Sequence, residues 1–506
     1  MNGKFKATFL TMTMKIFMSL STVVFNLVYI NLILKHYGSS VNGLISTLIQ
    51  FVSMFSILEG GFNTAVIVAT YGPLAQKNYE KLNDILYTAR KWFVYVGVAI
   101  CCFALLAGGI YINYIGSPYT YLKTYLLLLI CIATFVTSIC GLNQYTILLQ
   151  GHNHEYISSL LALIARTITW AVSILLIIKN CDILLVYSVN FFNVLLNIVF
   201  VKKYEKKHYP YATYKGKYNK NIIKGTKDVM FQKIANTIFN ATDLVLISVC
   251  VSLAASSVYN IYNQIFTAIF LLLTSVSSAP FNSFGQLAYE NDNEKFLGHF
   301  GLYQKILLVI TTVLFTIAGC SILPFINIYT AGIIDYNYIY PSLVVIFFAY
   351  YFTKMINQQY GTILNVTGNF KSQNFQCGLG AVLNIVISIG CVWTMGIHGV
   401  ILGSFVSTLV ILIMNIIKAY KYILLKNPIK EFLNILFNFC IALLMIVFTY
   451  NLNLQITGYY QWIIFVIIVS VTNVLLFILF NFALDKYQMK IVFNFFLKYI
   501  KKVIKN

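Results

Sequence analysis

The sequence has little charge and almost no arginine. Only 10% of its 506 residues are Asp, Glu, Lys or Arg, against about 25% in a soluble domain, and 59% are apolar. Arg90 and Arg166 are the only arginines among 35 basic residues. Because the deficit of charge extends along the whole chain, it excludes a soluble protein with one anchor. It indicates an integral membrane protein that crosses the bilayer many times.

The common catalytic and metal-binding motifs are also absent. The chain has no GxxxxGK[ST] loop, no HExxH and no GxSxG, which excludes ATP hydrolysis by a P-loop and offers no nucleophile-base pair. Its ten cysteines form no CxxC pair and are interpreted as small apolar packing residues. The neighbouring His152 and His154 are explained by a polar turn. We expect no catalytic residue, no metal site and no cofactor other than a coupling H⁺ or Na⁺.

Fourteen apolar runs are long enough to cross a hydrocarbon core of about 30 Å, which needs about 20 helical residues. They lie near residues 9–34, 42–70, 92–114, 121–149, 157–178, 182–201, 229–254, 257–285, 303–328, 338–365, 374–394, 397–419, 433–451 and 461–484. The predicted fold class is an all-α polytopic membrane protein. The predicted domains are a six-helix lobe (1–202), a basic linker (203–227), a second six-helix lobe (228–419), two further transmembrane helices (420–485) and a basic amphipathic tail helix (486–506).

The distribution of lysine orients this chain in the membrane. With the N-terminus in the cytoplasm, the predicted outer loops hold only Lys35, Lys123 and Lys179, and the predicted inner loops hold most of the rest, including Lys295 and Lys305. By the positive-inside rule both termini are cytoplasmic. The net charge of +21 therefore reports membrane topology, and no nucleic-acid partner is expected.

The two predicted lobes show signs of an internal repeat. Met14-Lys15-Ile16 opens the first span and Gln232-Lys233-Ile234 opens the seventh, while Ser39-Ser40-Val41 corresponds to Ser256-Ser257-Val258. Six spans per lobe mean that both lobes enter the membrane from the same side. The repeat is therefore predicted to be parallel, as in several two-lobed transporters whose substrate path lies between the lobes.

Polar side chains form stripes at helical spacing within four of the apolar runs. Such a stripe is unsuited to lipid, so it faces either another helix or a watery cavity. We predict a polar cavity lined by Asn26 of the first span, by Asn236 and Asn240 of the seventh, by Asn260, Asn263 and Gln264 of the eighth, and by Gln358 of the tenth.

Four cations lie inside apolar runs, where a charge is costly unless it meets a polar surrounding. Arg166 and Lys354 fall near mid-membrane and are predicted to bind substrate in the cavity, the alternative being a buried ion pair. Lys15 and Lys233 lie near the cytoplasmic ends of their spans, where they either join the cavity or extend to the interface.

Two acids are also deep, Glu59 in the second span and Asp243 in the seventh. Each is a candidate either for neutralising a nearby cation or for binding H⁺ or Na⁺ during transport. Glu59 precedes Gly60-Gly61, a pair that predicts a break or bend in the helix.

Several segments carry a resemblance to a known family. They are Leu58-Glu59-Gly60-Gly61-Phe62-Asn63, Tyr71-Gly72-Pro73-Leu74-Ala75, Asp84 through Ala89-Arg90-Lys91, Asn240-Ala241-Thr242-Asp243, Ser257-Val258-Tyr259-Asn260 with Asn263, and Gly396-Ile397-His398-Gly399. Over nearly its whole length the chain resembles bacterial polysaccharide flippases of the Wzx type, in the multidrug/oligosaccharidyl-lipid/polysaccharide (MOP) exporter superfamily.

The resemblance implies two six-helix lobes around a central cavity of alternating access, two extra C-terminal helices, and residence in the bacterial cytoplasmic membrane. It implies translocation of an undecaprenyl-pyrophosphate-linked oligosaccharide to the outer leaflet for capsule, exopolysaccharide or O-antigen synthesis. A polysaccharide polymerase or glycosyltransferase is the expected protein partner, beside membrane lipids. The cavity role of basic residues in that family falls here on Arg166, Lys354, Lys15 and Lys233. The arginine cluster of the lipid II flippases is absent, which argues against a peptidoglycan precursor.

Two other functions are compatible with parts of the sequence. A cation-coupled multidrug exporter of the same superfamily would favour an acidic cavity over a basic one. A membrane polysaccharide polymerase would carry a large outer loop with arginines, whereas the predicted outer loops here are short and contain none.

Overall fold

The computed structural model describes residues 3–59, 62–152, 154–218, 227–277, 284, 293–367, 370–452, 454–486 and 488–494. These residues are overwhelmingly helical and contain no strand. The α-helices are α1 Gly3–Tyr37, α2 Ser39–Met54, α3 Phe62–Ala75, α4 Tyr79–Ile112, α5 Tyr121–Thr137, α6 Asn143–Gly151, α7 Glu155–Ile178, α8 Ile183–His208, α9 Lys227–Cys250, α10 Leu253–Ser277, α11 Asn293–Tyr329, α12 Pro341–Val366, α13 Phe370–Met395, α14 Ile397–Ala419, α15 Ile429–Asn451 and α16 Tyr459–Leu484.

Helices occur at all fourteen predicted spans, which confirms the all-α polytopic class. Within the described residues, twelve helical segments are both long and apolar enough to cross a membrane. The two other predicted spans, α10 and α12, contain 25 and 26 residues. Their mean hydropathy is lowered by the polar stripes seen in the sequence, such as Asn260 with Asn263 and Lys354 with Gln358. By length alone, both helices would also count as long enough to cross a membrane.

The predicted run 42–70 is not one helix. α2 ends at Met54, a 3₁₀-helix continues over Phe55–Glu59, and α3 begins at Phe62. This interruption was predicted from the Gly60-Gly61 pair, which itself lies outside the described residues. A π-helical turn over Ser138–Leu142 separates α5 from α6, and another over Tyr420–Leu424 follows α14.

The chain divides into two compact units, Met1–Asn260 and Ile261–Asn506. In unit 1, two apolar clusters hold the helices together, one around Leu44 and Leu128 and the other around Phe93 and Leu148. α2 passes so close to the start of α10 that a Cβ built on Gly43 would lie 1.7 Å from the carbonyl oxygen of Leu253. Only glycine permits this approach.

In unit 2, stacked aromatic rings dominate the buried interior. Phe266 lies within 6.2 Å, centroid to centroid, of Phe315, Phe347 and Tyr351. α13 and α14 form a hairpin turned by the single residue Gly396, whose φ of 56° favours glycine. These two closely spaced runs are thus two separate helices, as the sequence predicted.

Several lysines that the sequence assigned to inner loops lie within helices, and one of them is buried. Lys305 was placed in an inner loop, but it lies within α11 and is only 3% exposed. The predicted span starts two residues before this lysine, whereas the helix already begins at Asn293, and the ammonium group finds a partner on α16.

Two predictions fall on parts of the chain that are not described. The side chain of Lys15 lies outside the described residues, although its backbone belongs to α1. The predicted tail helix is described only in part, and residues 488–494 are helical.

Candidate functional site

A polar cleft opens in unit 1 between α2 and α9, with a volume of about 490 Å³. The residues that line it are Gln50, Ser53, Ser56, Gln232, Lys233, Asn236, Thr237, Asn240 and Ala241. Gln50 fixes the two helices to one another, because its Nε2 donates a hydrogen bond of 3.0 Å to the backbone oxygen of Asn240. All but one of the lining residues carry a polar side chain, so the cleft is suited to a hydrated ligand.

Lys233 brings positive charge to this cleft and pairs with Glu59 at its edge. The Nζ–Oε2 distance is 3.4 Å, and the two side chains are 37% and 11% exposed. Asn143, next to the π-helical turn, donates from Nδ2 to the other carboxylate oxygen at 3.4 Å. The lysine therefore retains access to the cleft, whereas the carboxylate is largely buried behind it.

Asp243 lies farther along α9, in the seam with α10, and is 4% exposed. Its Oδ2 accepts a hydrogen bond of 2.7 Å from the hydroxyl of Tyr259. The same region carries polar contacts to α2. Asn42 Nδ2 donates a hydrogen bond to Ser257 Oγ at 2.6 Å. Asn260 Nδ2 donates one to the hydroxyl of Ser46 at 2.9 Å. At this position the polar residues that were predicted to line a cavity instead form hydrogen bonds that connect α2, α9 and α10.

Arg166 on α7 lies outside the lining of the cleft. Its Nη1 donates a hydrogen bond of 2.9 Å to the hydroxyl of Thr22 on α1, and its guanidinium lies 5.6 Å from the ring centroid of Trp170. Trp170 stacks on Phe25 of α1 at 4.0 Å. Asn26, the next residue of α1, is half-buried.

Lys354 belongs to unit 2, where aromatic rings surround its ammonium group. Its Nζ donates a hydrogen bond of 2.8 Å to the hydroxyl of Tyr350. The same atom lies 4.9 to 5.4 Å from the ring centroids of Phe270, Tyr350 and Tyr351. Cation–π attraction stabilises a desolvated ammonium in such surroundings.

The predicted cavity amides of unit 2 have varied environments. Asn263 Oδ1 accepts a hydrogen bond of 2.6 Å from the hydroxyl of Tyr351, which also contacts Thr267. Gln264 has a buried side-chain oxygen without a hydrogen-bond partner among the described residues. Gln358 is half-buried on α12.

The structure therefore brings together some of the predicted residues within unit 1. Lys233, Asn236 and Asn240 share the cleft, with Glu59 behind the lysine. Sequence reasoning missed the opposite wall, which consists of Gln50, Ser53 and Ser56. Their spacing of three residues places them on one helical face, and that pattern was available in the sequence.

The linker after α8 folds back over the helix ends of unit 1. The Tyr211 hydroxyl lies 2.6 Å from His152 Nε2, and the Tyr209 hydroxyl contacts His154 Nδ1. Asn83 of α4 donates to the backbone oxygen of Tyr211 at 2.9 Å. Burial lowers the pKa of both histidines, with a smaller contribution from neighbouring imidazoles. Burial raises the pKa of Tyr211 to about 12. The linker is thus held by hydrogen bonds between uncharged tyrosine and histidine side chains.

The chain has the fold of a solved lipid II flippase and of solved MATE family transporters. Within the described part of unit 1, the polar cleft with its single lysine lies on this fold. No known protein family and no curated protein sequence matches the chain.

Among solved structures, the chain is similar to the lipid II flippase MurJ in an inward closed conformation. The TM-score is 0.66 and the identity 16%, over 95% of this chain and 98% of that one. It is also similar to an inward-facing MATE family multidrug resistance transporter, with TM-score 0.61 and 11% identity over 80% and 98% of the two chains. For a eukaryotic MATE transporter the TM-score is 0.54 and the identity 12%, over 87% of this chain and 100% of that one. At these identities the likeness shows the fold alone.

Proposed function

We propose that this protein is a flippase for an undecaprenyl-pyrophosphate-linked oligosaccharide, moving it from the inner to the outer leaflet of a bacterial cytoplasmic membrane by alternating access. The observation that carries the proposal is the cleft between α2 and α9. Its lining, as far as the structure describes it, combines one lysine with amides and hydroxyls and includes no carboxylate. The fold is shared with a lipid II flippase, which supports a lipid as the substrate here too.

The chemistry of the cleft fits such a substrate. The ammonium of Lys233 is a charge-assisted donor for a diphosphate oxygen. Asn236, Asn240 and Gln50 each offer an amide that both donates to and accepts from sugar hydroxyls. The volume of about 490 Å³ lies within the range of small-molecule sites, roughly 300–1,000 Å³. The lipid tail would stay in the bilayer.

Arg166 is the second cation of unit 1 in this proposal. Its described contacts are a hydroxyl and an indole ring, neither of which neutralises its charge. A guanidinium binds phosphate oxygens in a bidentate fork, so exchange of the Thr22 hydrogen bond for a phosphate would be favourable. Lys354 is assigned the corresponding role in unit 2, and Lys15 remains a candidate on sequence grounds alone.

Two carboxylates are candidates for coupling transport to an ion gradient. Glu59 is paired with Lys233, so release of that lysine to a substrate phosphate would leave a buried carboxylate that favours H⁺ or Na⁺. Asp243 is more deeply buried and is bonded to the Tyr259 hydroxyl. Only the pair of Glu59 and Lys233 links substrate binding directly to a cation, and neither carboxylate would need a further cofactor.

The test is a strain in which this gene is deleted. Lipid-linked oligosaccharides are extracted, and their leaflet is assigned by access to an impermeant sugar-modifying enzyme. We expect accumulation in the inner leaflet and loss of surface polymer, with the sugar then identified by mass.

Complementation with variants then tests the site. Charge reversal of both Arg166 and Lys354 is expected to abolish polymer export, and Lys233→Gln to reduce it. Arg90→Gln is the matched control, because Arg90 is the other arginine and lies exposed outside the cleft. Export that survives the double reversal would overturn the cavity proposal.

The same deletion strain distinguishes the flippase from a multidrug exporter, a class of transporter whose fold the chain also shares. Normal polymer, no accumulation and altered drug sensitivity would assign the protein to that function. If the protein were a polymerase, its deletion would instead leave single repeat units in the outer leaflet.

A further inference from the structure

A second cavity lies in unit 2, and Lys354 is not among the residues that line it. Its volume is about 260 Å³, and it is enclosed by α11, the π-helical turn Tyr420–Leu424, the start of α15 and the segment after α16. Its polar lining includes Gln304, Lys305, Lys426, Lys430, Glu431 and Asn434. Leucine and phenylalanine side chains of α11 line it too, so the cavity is amphipathic.

The innermost cation of this cavity is held in place by the C-terminal helices. Lys305 Nζ donates a hydrogen bond of 2.8 Å to Asn481 Oδ1 on α16. Asn481 is in turn bonded to Asn438 on α15, at 2.9 Å through its own Nδ2. A lysine that is 3% exposed and tied to a fixed amide presents its charge at a defined position.

The balance of charge around the cavity is positive. Three lysines face two carboxylates, because Lys430 pairs with Asp485 at 2.7 Å and Lys305 shares the wall with Glu431. The Glu431 carboxylate also accepts a hydrogen bond of 2.8 Å from a buried tyrosine hydroxyl on α12. Lys426 makes no ion pair with any described residue. One positive charge is thus left over, which matches the single negative charge of a phosphodiester.

The location of the cavity suggests the source of that phosphodiester. Lys426 belongs to the basic connection before α15, and Gln488 to the basic segment after α16; the lysine distribution places both on the cytoplasmic side. The inner leaflet of a membrane is rich in anionic lipids that attract such segments. The cavity therefore lies where phospholipid headgroups are concentrated.

We propose that this cavity binds the headgroup of an anionic glycerophospholipid, with Lys426, Lys305 and Lys430 around the phosphodiester and the amides on the glycerol hydroxyls. The bound lipid would tie α15 and α16 to α11. This site is independent of the proposed transport substrate.

The test measures lipid binding to the full-length protein in detergent by native mass spectrometry, with phosphatidylglycerol, phosphatidylcholine and inorganic phosphate as probes. We expect one tightly bound phosphatidylglycerol and much weaker binding of phosphatidylcholine. Lys426→Gln is expected to lower the affinity about tenfold, the effect of one charge-assisted contact of about 1.4 kcal/mol. Lys421→Gln is the matched control, since this exposed lysine of the same basic stretch lies outside the cavity.

A second pair of variants blocks the cavity without changing charge. A Cβ built on Gly301 meets no atom within 4 Å, and Gly301 lines the cavity, so Gly301→Leu fills it. Gly298 is equally unobstructed but lies outside the lining, so Gly298→Leu should bind lipid normally.

Three results would overturn the proposal. They are equal binding of the two lipids, equal losses in the Lys421 and Lys426 variants, and normal binding by Gly301→Leu. Competition by millimolar inorganic phosphate as effective as that by phosphatidylglycerol would reassign the site to free phosphate. Failure of polymer export in the deletion strain bears on none of these outcomes.

Discussion

The pair formed by Lys233 and Glu59 allows a quantitative test of the cleft. At 3.4 Å, two unit charges attract by about 5 kcal/mol at an effective dielectric constant of about 20, and by about 1 kcal/mol in bulk water. Glu59 is largely buried, but Lys233 is more than one-third exposed, so solvent screens part of the attraction. We expect a coupling free energy of about 2 kcal/mol.

The two single variants should differ in cost. Lys233→Gln leaves a buried carboxylate whose one remaining partner among the described residues is Asn143, so we expect it to lower the free energy of unfolding by about 2–3 kcal/mol. Glu59→Gln leaves a lysine that can turn toward water, at a cost of about 1 kcal/mol. The double variant should be about 2 kcal/mol more stable than the two losses added together.

Equilibrium unfolding in mixed detergent micelles measures all four proteins of this cycle. A second cycle on Lys123 and Asp182 is the matched comparison. That pair is shorter, at 2.7 Å, but its side chains are 28% and 47% exposed. Asp182 is replaced by Asn in this cycle, because Asp182→Asn keeps the side-chain oxygen that accepts a hydrogen bond from Leu184 N.

If burial governs the strength of these pairs, the shorter but more exposed pair has the smaller coupling, below about 1 kcal/mol. A larger coupling for Lys123 and Asp182, or strict additivity for Lys233 and Glu59, would refute the reasoning.

Three further outcomes are expected. Gly43→Ala should lower thermal stability sharply or prevent folding, because its Cβ meets backbone that no rotamer change relieves, whereas Gly298→Ala should be neutral by the same thermal assay. Asp243→Asn keeps a hydrogen-bond acceptor but not the charge, so it should leave stability nearly intact while abolishing polymer export; normal export would exclude it from ion coupling. Because burial lowers the pKa of His152 and His154, the stability of the linker contact is full above the unfolded-state pKa of about 6.5 and falls as the pH drops below it. Hydrogen–deuterium exchange of residues 209–218, corrected for intrinsic rates, should therefore be faster at pH 5.5 than at pH 7.5, and exchange independent of pH would contradict this.

The sequence by itself determined the class of fold, the positions of the fourteen helical spans and the interruption of the second span after Glu59. Hydropathy locates the spans because each backbone polar group in a bilayer must be satisfied within its own helix, and the Gly60-Gly61 pair locates the interruption. The wall formed by the end of α2 and the following 3₁₀-helix could also have been predicted, since Gln50, Ser53 and Ser56 repeat at helical spacing.

Only the tertiary structure decided how the charges are used. Glu59 and Lys233 are 174 residues apart, and no local pattern pairs them. Lys305 was assigned to a loop by its position at the edge of an apolar run, whereas Asn481 of α16 holds it in the interior. A charge in an apolar segment is stable only with a partner, and the partner of a helical side chain comes from whichever helix packs beside it.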